Sequence, residues 1–363
     1  MLEHGGRLRQ AAKQYDIELS QWLDLSTGLN PNAWPVPAID SRHWARLPED
    51  DDGLVAAAQS YYGCEQVLPV AGTQAAIQLL PALRLRFSGS LAANQQKIGL
   101  IHPSYAEHAH VWHQAGFEVL ALNSEEIAAQ LPQLSCLVLV NPNNPTGETV
   151  SPQQLLAWHA QLAQQGGWLV VDEAFMDCTP ELSLCAHASL PGLIVLRSLG
   201  KFFGLAGARV GFVMAQYELL HTLQEMLGPW TVNGPARQVA KQALLDTAWH
   251  DSTRQTLPIQ SQRLQGLLQN ALLLSTSLLD SPLHDVSRQN VLHPTNGTAL
   301  FQWIRTPHAE TVRTQLAQQG IWIRLFEQPA SLRFGLPANE AQWMRLQRAL
   351  QSLLLSSPQA EAV

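Results

Sequence analysis

The spacing of apolar and polar residues changes period several times along the chain. From about residue 52 to 62 the apolar positions recur at helical intervals. Short apolar runs then alternate with helical stretches, at 98–101, 117–120, 137–140, 168–171, 193–196 and 210–214. Strands alternating with helices predict βαβ units gathered into one mostly parallel sheet flanked by helices, an α/β fold. Residues 236–279 read as mostly helical. The pattern then changes to apolar runs at 299–304, 321–325 and 331–334, with helices near 309–320 and 340–355. That mixture predicts a smaller α+β unit. Residues 1–45 contain Pro31, Pro35 and Pro37 with little helical periodicity, and read as an extended arm. The expected organisation is an arm at 1–45 packing with the small domain, a large domain at 46–240 and a small domain at 241–363.

Composition narrows the function. With 363 residues and 46% hydrophobic residues, two domains with a sizeable core are expected. The formal net charge of -7 argues against a nucleic-acid partner, which needs clustered positive charge. Cys64, Cys136, Cys178 and Cys185 have no C-x-x-C spacing and read as reduced thiols of a cytoplasmic protein. No apolar stretch reads as a signal peptide or membrane span.

The chemistry lies in the segment after each expected strand, because ligands of parallel α/β sheets bind beyond the carboxyl ends of the strands. His102-Pro-Ser-Tyr105 comes after the first run, and Asn141-Pro-Asn-Asn144-Pro-Thr-Gly147 after 137–140. Asp172-Glu-Ala-Phe175 comes after 168–171, and Arg197-Ser198-Leu-Gly-Lys201 after 193–196. Lys201 is one of only four lysines and sits in the run Ser198-Leu-Gly-Lys-Phe-Phe-Gly-Leu-Ala-Gly-Ala-Arg209. A lysine in so apolar a setting suits Schiff-base chemistry with an aldehyde cofactor. The set fits pyridoxal 5'-phosphate. Lys201 is its covalent anchor, Asp172 the partner of its pyridine nitrogen, Asn144 a donor to its ring oxygen and Tyr105 a plate on its ring face. Ala71-Gly72-Thr73-Gln74 opens a helix whose first amides, with Ser198 and Arg209, make a phosphate seat.

Other readings stand beside these. Asp172 also suits a helix N-cap, Asn144 a turn, and Tyr105 a core or rim aromatic. The Ser-x-x-Lys motif of penicillin-binding proteins needs a later Lys-Thr-Gly or Lys-Ser-Gly, and the sequence has neither. His102, Glu107, His108, His110 and His113 invite a metal site, but no H-E-x-x-H is present and none is expected.

In this order, Asn-Asn-Pro-Thr-Gly, Asp-Glu-Ala and Ser-x-x-Lys with a downstream arginine resemble the fold-type I pyridoxal-phosphate enzymes of the aspartate aminotransferase superfamily. The resemblance runs from Asp24-Leu-Ser-Thr-Gly-Leu-Asn30-Pro31 to Leu332-Arg333-Phe-Gly335. It implies that Arg333 holds the substrate α-carboxylate. It places Arg324 where the histidinol-phosphate aminotransferases hold a substrate phosphate. His4-Gly5-Gly6, the 23–31 arm and Phe175 in place of a tyrosine make the chain most similar to the threonine-phosphate decarboxylases of cobalamin biosynthesis. That resemblance implies decarboxylation of O-phospho-L-threonine to (R)-1-amino-2-propanol O-2-phosphate, with Arg324, Asn30 and His4, and after them Arg7, as candidates for the substrate phosphate, and a homodimer. The alternative it leaves open is a histidinol-phosphate or related class I/II aminotransferase. Leu47 and Phe175 stand where many aminotransferases carry tyrosine.

Overall fold

The computed structural model describes residues 5–89, 92–278 and 295–355. In chain order its strands are β1 (Leu23–Asp24), β2 (Val67–Val70), β3 (Lys97–Ile101), β4 (Glu118–Leu122), β5 (Leu134–Val140), β6 (Trp168–Asp172), β7 (Leu193–Ser198), β8 (Gly211–Met214), β9 (Asn296–Thr298), β10 (Phe301–Arg305), β11 (Ile321–Trp322), β12 (Arg324–Phe326) and β13 (Ser331–Gly335). The chain forms two units, one of residues 33–254 and one of residues 1–32 with 255–363.

The 33–254 unit is built on a seven-stranded sheet of order β2-β8-β7-β6-β5-β3-β4. Neighbours from β7 to β4 pair in parallel, and β8 runs antiparallel to both β2 and β7. The central strands β5 and β6 are apolar almost throughout, as a sheet covered on both faces requires. One cluster of buried side chains joins Val138, Val170, Ile194 and Val213 of the sheet to Ile77, Leu80 and Trp112 of the helices Thr73–Phe87 and Ala106–Gln114. Because β3, β5, β6 and β7 are parallel neighbours, the segments after them emerge along one edge. That edge carries Tyr105, Asn144, Asp172 and Lys201.

The other unit holds an antiparallel sheet of order β12-β13-β10-β9 and a parallel pair, β1 with β11. The helices Leu8–Tyr15, Ala309–Gln318 and Glu340–Leu355 belong to it. Tyr15, Trp22 and Trp322 meet edge-on at 6.0–6.4 Å between ring centroids.

Two expectations need correcting, and one strand is not expected at all. Residues 1–45 are not simply extended, since Leu8–Tyr15 is helical with Ala11 buried. The run expected at 210–214 is a strand, but it is antiparallel to its neighbours. Strand β2 adds an element that the apolar pattern does not announce, because Pro69 argues against a strand. It lies at the sheet's edge, where proline is tolerated.

Candidate active site

A single glycine organises the expected phosphate seat. Gly211 pairs with Ser198 on one side and with Val70 on the other. This register sets the end of β7 beside the turn that leads from β2 into the helix Thr73–Phe87. A Cβ at Gly211 would lie 2.7 Å from the Thr73 amide nitrogen and 3.0 Å from the Arg197 carbonyl oxygen, so no side chain fits there. Gly72 is the helix N-cap at φ 74°, and no side chain caps that end. A Cβ on Gly72 would lie 2.7 Å from Nη2 of Arg209, so the guanidinium sits against the start of the helix. Arg209 itself has φ 54° and donates from Nη1 to the Ala206 carbonyl at 3.3 Å. Ser198 accepts the Gly200 amide at Oγ, 3.2 Å away, which fixes the turn toward Lys201. An uncapped helix start, a hydroxyl and a guanidinium converge here with no carboxylate among them. This combination suits an anion, with the helix dipole adding to the positive field.

Asp172 ends β6 and is 4% exposed. Its Oδ1 accepts the Ala174 amide at 3.1 Å, and its Oδ2 lies 3.0 Å from Nε2 of His108, which is fully buried. A carboxyl group held this way has a fixed orientation and suits a protonated ring nitrogen. The sequence pattern presents His108 only as a candidate metal ligand. The signal for its actual place is its position three residues after Tyr105, the N-cap residue of the helix Ala106–Gln114, a spacing that brings the two side chains together. The two rings do meet edge-on at 5.9 Å.

Tyr105 donates its hydroxyl to Oε1 of Gln74 at 3.2 Å, and Gln74 donates Nε2 to Glu107 at 2.8 Å. Burial, with Glu107 and Asp172 nearby, raises the Tyr105 phenol well above its ordinary pKa, so it stays neutral. Asn143, which the sequence motif does not distinguish from its neighbours, braces the loop after β5. It accepts the Ser104 hydroxyl and donates to the Pro103 carbonyl and to Thr146. Asn144 is half-buried next to it. Nζ of Lys201 stands 5.4 Å from the Phe175 ring centroid, and Phe175 is buried. Leu47 is 63% exposed.

Beneath this edge lies a buried ion network that the sequence motifs do not single out. Arg197 bonds Glu173 at 2.9 Å and Asp177 at 2.7 Å. Tyr61 donates to Asp177 at 3.1 Å and accepts from Arg254 at 3.1 Å. Glu173 also accepts the Leu184 amide and the Ser183 hydroxyl. Burial pushes the Glu173 carboxyl up, and the acids around Arg197 hold its guanidinium charged. Arg197 and Glu173 stand one residue before Ser198 and one after Asp172, so the network anchors both strand ends.

In the other unit Arg333 is 6% exposed, donates to the Ser26 carbonyl at 2.8 Å and lies over the Phe301 ring. Burial and the neighbouring Arg324 push its pKa down to about 9, against an opposing pull from Asp24. Arg324 faces it across the β12–β13 ladder. Asn30 is buried and accepts the Asn32 amide. His4 lies outside the described residues.

Residues 46–351 match the model of the aminotransferase class I and II family. The chain belongs to that family. A threonine-phosphate decarboxylase of Pseudomonas aeruginosa is 53% identical over 350 residues, covering 96% of this chain and 97% of that protein. A threonine-phosphate decarboxylase of a Sinorhizobium species is 38% identical, covering 97% and 98%. Among solved structures, histidinol-phosphate aminotransferase from Sinorhizobium meliloti in complex with pyridoxal-5'-phosphate superposes with a TM-score of 0.76 at 18% identity, covering 98% of this chain and 96% of that one.

Proposed function

We propose that this chain is a pyridoxal-phosphate-dependent decarboxylase that converts O-phospho-L-threonine to (R)-1-amino-2-propanol O-2-phosphate, a step of cobalamin biosynthesis. The near-full-length identity to threonine-phosphate decarboxylases carries this reading. The cofactor fits the residues present. The glycines at 72 and 211 let the Arg209 guanidinium and the end of β7 stand against the uncapped start of the helix Thr73–Phe87, a donor set that suits the cofactor phosphate, and the buried acid Asp172 at the end of β6 suits its ring nitrogen.

When bound, the cofactor would supply an aldehyde for the substrate amine and an electron sink for the pair left at Cα on loss of carbon dioxide. Gly72, Thr73, Gln74, Ser198 and Arg209 hold its phosphate. Asn144 holds its ring oxygen, and Tyr105 covers one ring face. Asp172 keeps the ring nitrogen protonated, and His108 keeps Asp172 oriented. Lys201 anchors the cofactor covalently at rest and afterwards returns a proton to Cα. Phe175 gives the cofactor no phenolic hydrogen bond. Arg333 grips the substrate carboxylate, while Arg324, Asn30 and His4 serve its phosphate. The domain division at 1–45, 46–240 and 241–363, a cytoplasmic location and a homodimer belong to the same proposal.

Two measurements test it. Borohydride reduction of the holoenzyme followed by peptide mass analysis places the cofactor on Lys201, and Lys201→Ala loses the adduct. The intact enzyme releases carbon dioxide from O-phospho-L-threonine with no keto-acid acceptor. An adduct that persists in Lys201→Ala refutes the anchor, and glutamate formed from histidinol phosphate and 2-oxoglutarate without carbon dioxide release refutes the reaction.

A further inference from the structure

Lys201 is followed by two buried aromatic residues, Phe202 and Phe203. The Gly204 amide donates to the Lys201 carbonyl at 3.2 Å, which closes this segment into a turn. Both rings pack against the start of the helix Thr247–Leu278. Phe203 stacks on Trp249 at 5.6 Å with 14° between the ring planes, and meets His250 edge-on at 5.4 Å. Phe202 meets Trp249 edge-on at 5.3 Å. One helical turn after His250, Arg254 sets its guanidinium 5.6 Å from the centre of the Phe202 ring.

Arg254 also reaches the buried ion network. Its Nε donates to the Asp177 carbonyl at 2.9 Å, and its Nη2 donates to the Tyr61 hydroxyl at 3.1 Å. Tyr61 carries the contact in two directions, with its hydroxyl to Oδ1 of Asp177 at 3.1 Å and its ring to Phe203 at 5.6 Å. Arg197 then joins Asp177 to Glu173. A continuous path of contacts therefore runs from the residues after Lys201 to the residue after Asp172. Charge points the same way. Glu173 and Asp177 are fully buried acids that share the one guanidinium of Arg197, and Arg254 brings a second positive charge to the edge of the network. The other acidic side chain that Arg254 meets among the described residues is the exposed Asp251, at a long 3.8 Å.

We propose that Arg254 is a positioning residue for Lys201. It clamps the turn that carries the lysine by the Phe202 ring and ties that turn to the network that holds the end of β6. The amine and the Asp172 carboxyl then keep a fixed separation. Lys201 has to meet one atom of a ring whose nitrogen faces Asp172, so the placement of the two groups relative to each other decides how well either works. The proposal rests on the reading of Lys201 as the covalent anchor of the cofactor.

The test uses the holoenzyme and reads the pH at which the visible absorbance of the cofactor–Lys201 adduct titrates. Arg254→Met keeps an apolar stem against Phe202 and removes the charge and both donors. It shifts the titration by about half a pH unit or more. It also lowers kcat for O-phospho-L-threonine by about tenfold or more, with KM changed by less than about twofold. Arg254→Lys, which returns the charge and a donor, recovers part of both losses. Tyr61→Phe leaves the ring on Phe203 and removes the hydroxyl between Arg254 and Asp177. It moves both readings in the same direction by less, and it decides the matter if Arg254→Met does not fold, as judged by melting. A purely structural role lowers the melting temperature while titration and kcat of the folded variants stay at the wild-type values, and that result overturns the proposal. The titration needs no turnover, so it holds whichever bond the enzyme breaks. Borohydride reduction and peptide mapping of the same samples separate the two readings. An adduct on Lys201 with unchanged titration overturns the positioning role and leaves the anchor standing. An adduct on another lysine removes the anchor, and the positioning role with it.

Discussion

Asp172 is gripped from two sides, and its two partners do different work. The Ala174 amide fixes one oxygen through the chain itself, while His108 fixes the other from a separate helix. Under the proposed function, Asp172→Asn removes the charge assigned to holding a proton on the cofactor ring, and we expect kcat to fall by about 100-fold or more with the fold intact. His108→Ala keeps the charge but releases one oxygen. It should cost about 1–3 kcal/mol in thermal or denaturant unfolding and lower kcat less than Asp172→Asn does. Equal losses of kcat in the two variants would mean that His108 does more than orient the acid. Arg333 presents the opposite balance. Burial and Arg324 make its charge unfavourable in the free protein, so Arg333→Met should hold or raise the melting temperature while lowering kcat/KM by at least about tenfold. A variant that unfolds more easily would show that Arg333 is structural.

At the level of elements, the proposed phosphate seat is a consequence of strand register. Gly211 must be glycine because β8 passes against the start of the helix Thr73–Phe87. Gly211→Ala should cost about 1–3 kcal/mol of stability and weaken cofactor binding, measured by absorbance titration. Unchanged affinity would separate the register from the seat. Much of this is legible in the sequence. The apolar runs of β3, β5, β6 and β7 are buried on both faces, so they read as strands, and the polar residues after them fall on one edge. The direction of β8 is not legible, because four apolar residues look alike in either sense. The helix Leu8–Tyr15 is also hidden. Its stripe of Leu8, Ala11, Ala12 and Tyr15 is narrow among arginines, glutamines and a lysine, and only packing around Trp22 gives it a partner. His108 and the Arg197 network escape for a related reason. Their partners are distant in sequence, 64 residues for His108 and Asp172 and 20 for Arg197 and Asp177, and local pattern carries no trace of such pairings.

At the scale of the whole molecule, the 33–254 unit exposes large apolar side chains, Trp44 at 72%, Leu47 at 63% and Trp230 at 59%. Such exposure is compatible with the proposed homodimer, in which a second copy would cover some of these side chains. Sedimentation should find a dimer, and Trp44→Glu should shift it toward monomer; a wild-type protein that remains monomeric at micromolar concentration would refute that assembly. The family to which the chain belongs includes proteins named for transamination and for decarboxylation, so the anchor, the acid and the phosphate seat alone do not decide which bond at Cα breaks. The most direct measurement is therefore the ratio of carbon dioxide released to O-phospho-L-threonine consumed by the purified holoenzyme without any keto acid. The decarboxylase account predicts one carbon dioxide per substrate and an accumulating amino-alcohol phosphate. No carbon dioxide, with the amino group passing to added 2-oxoglutarate instead, would contradict it.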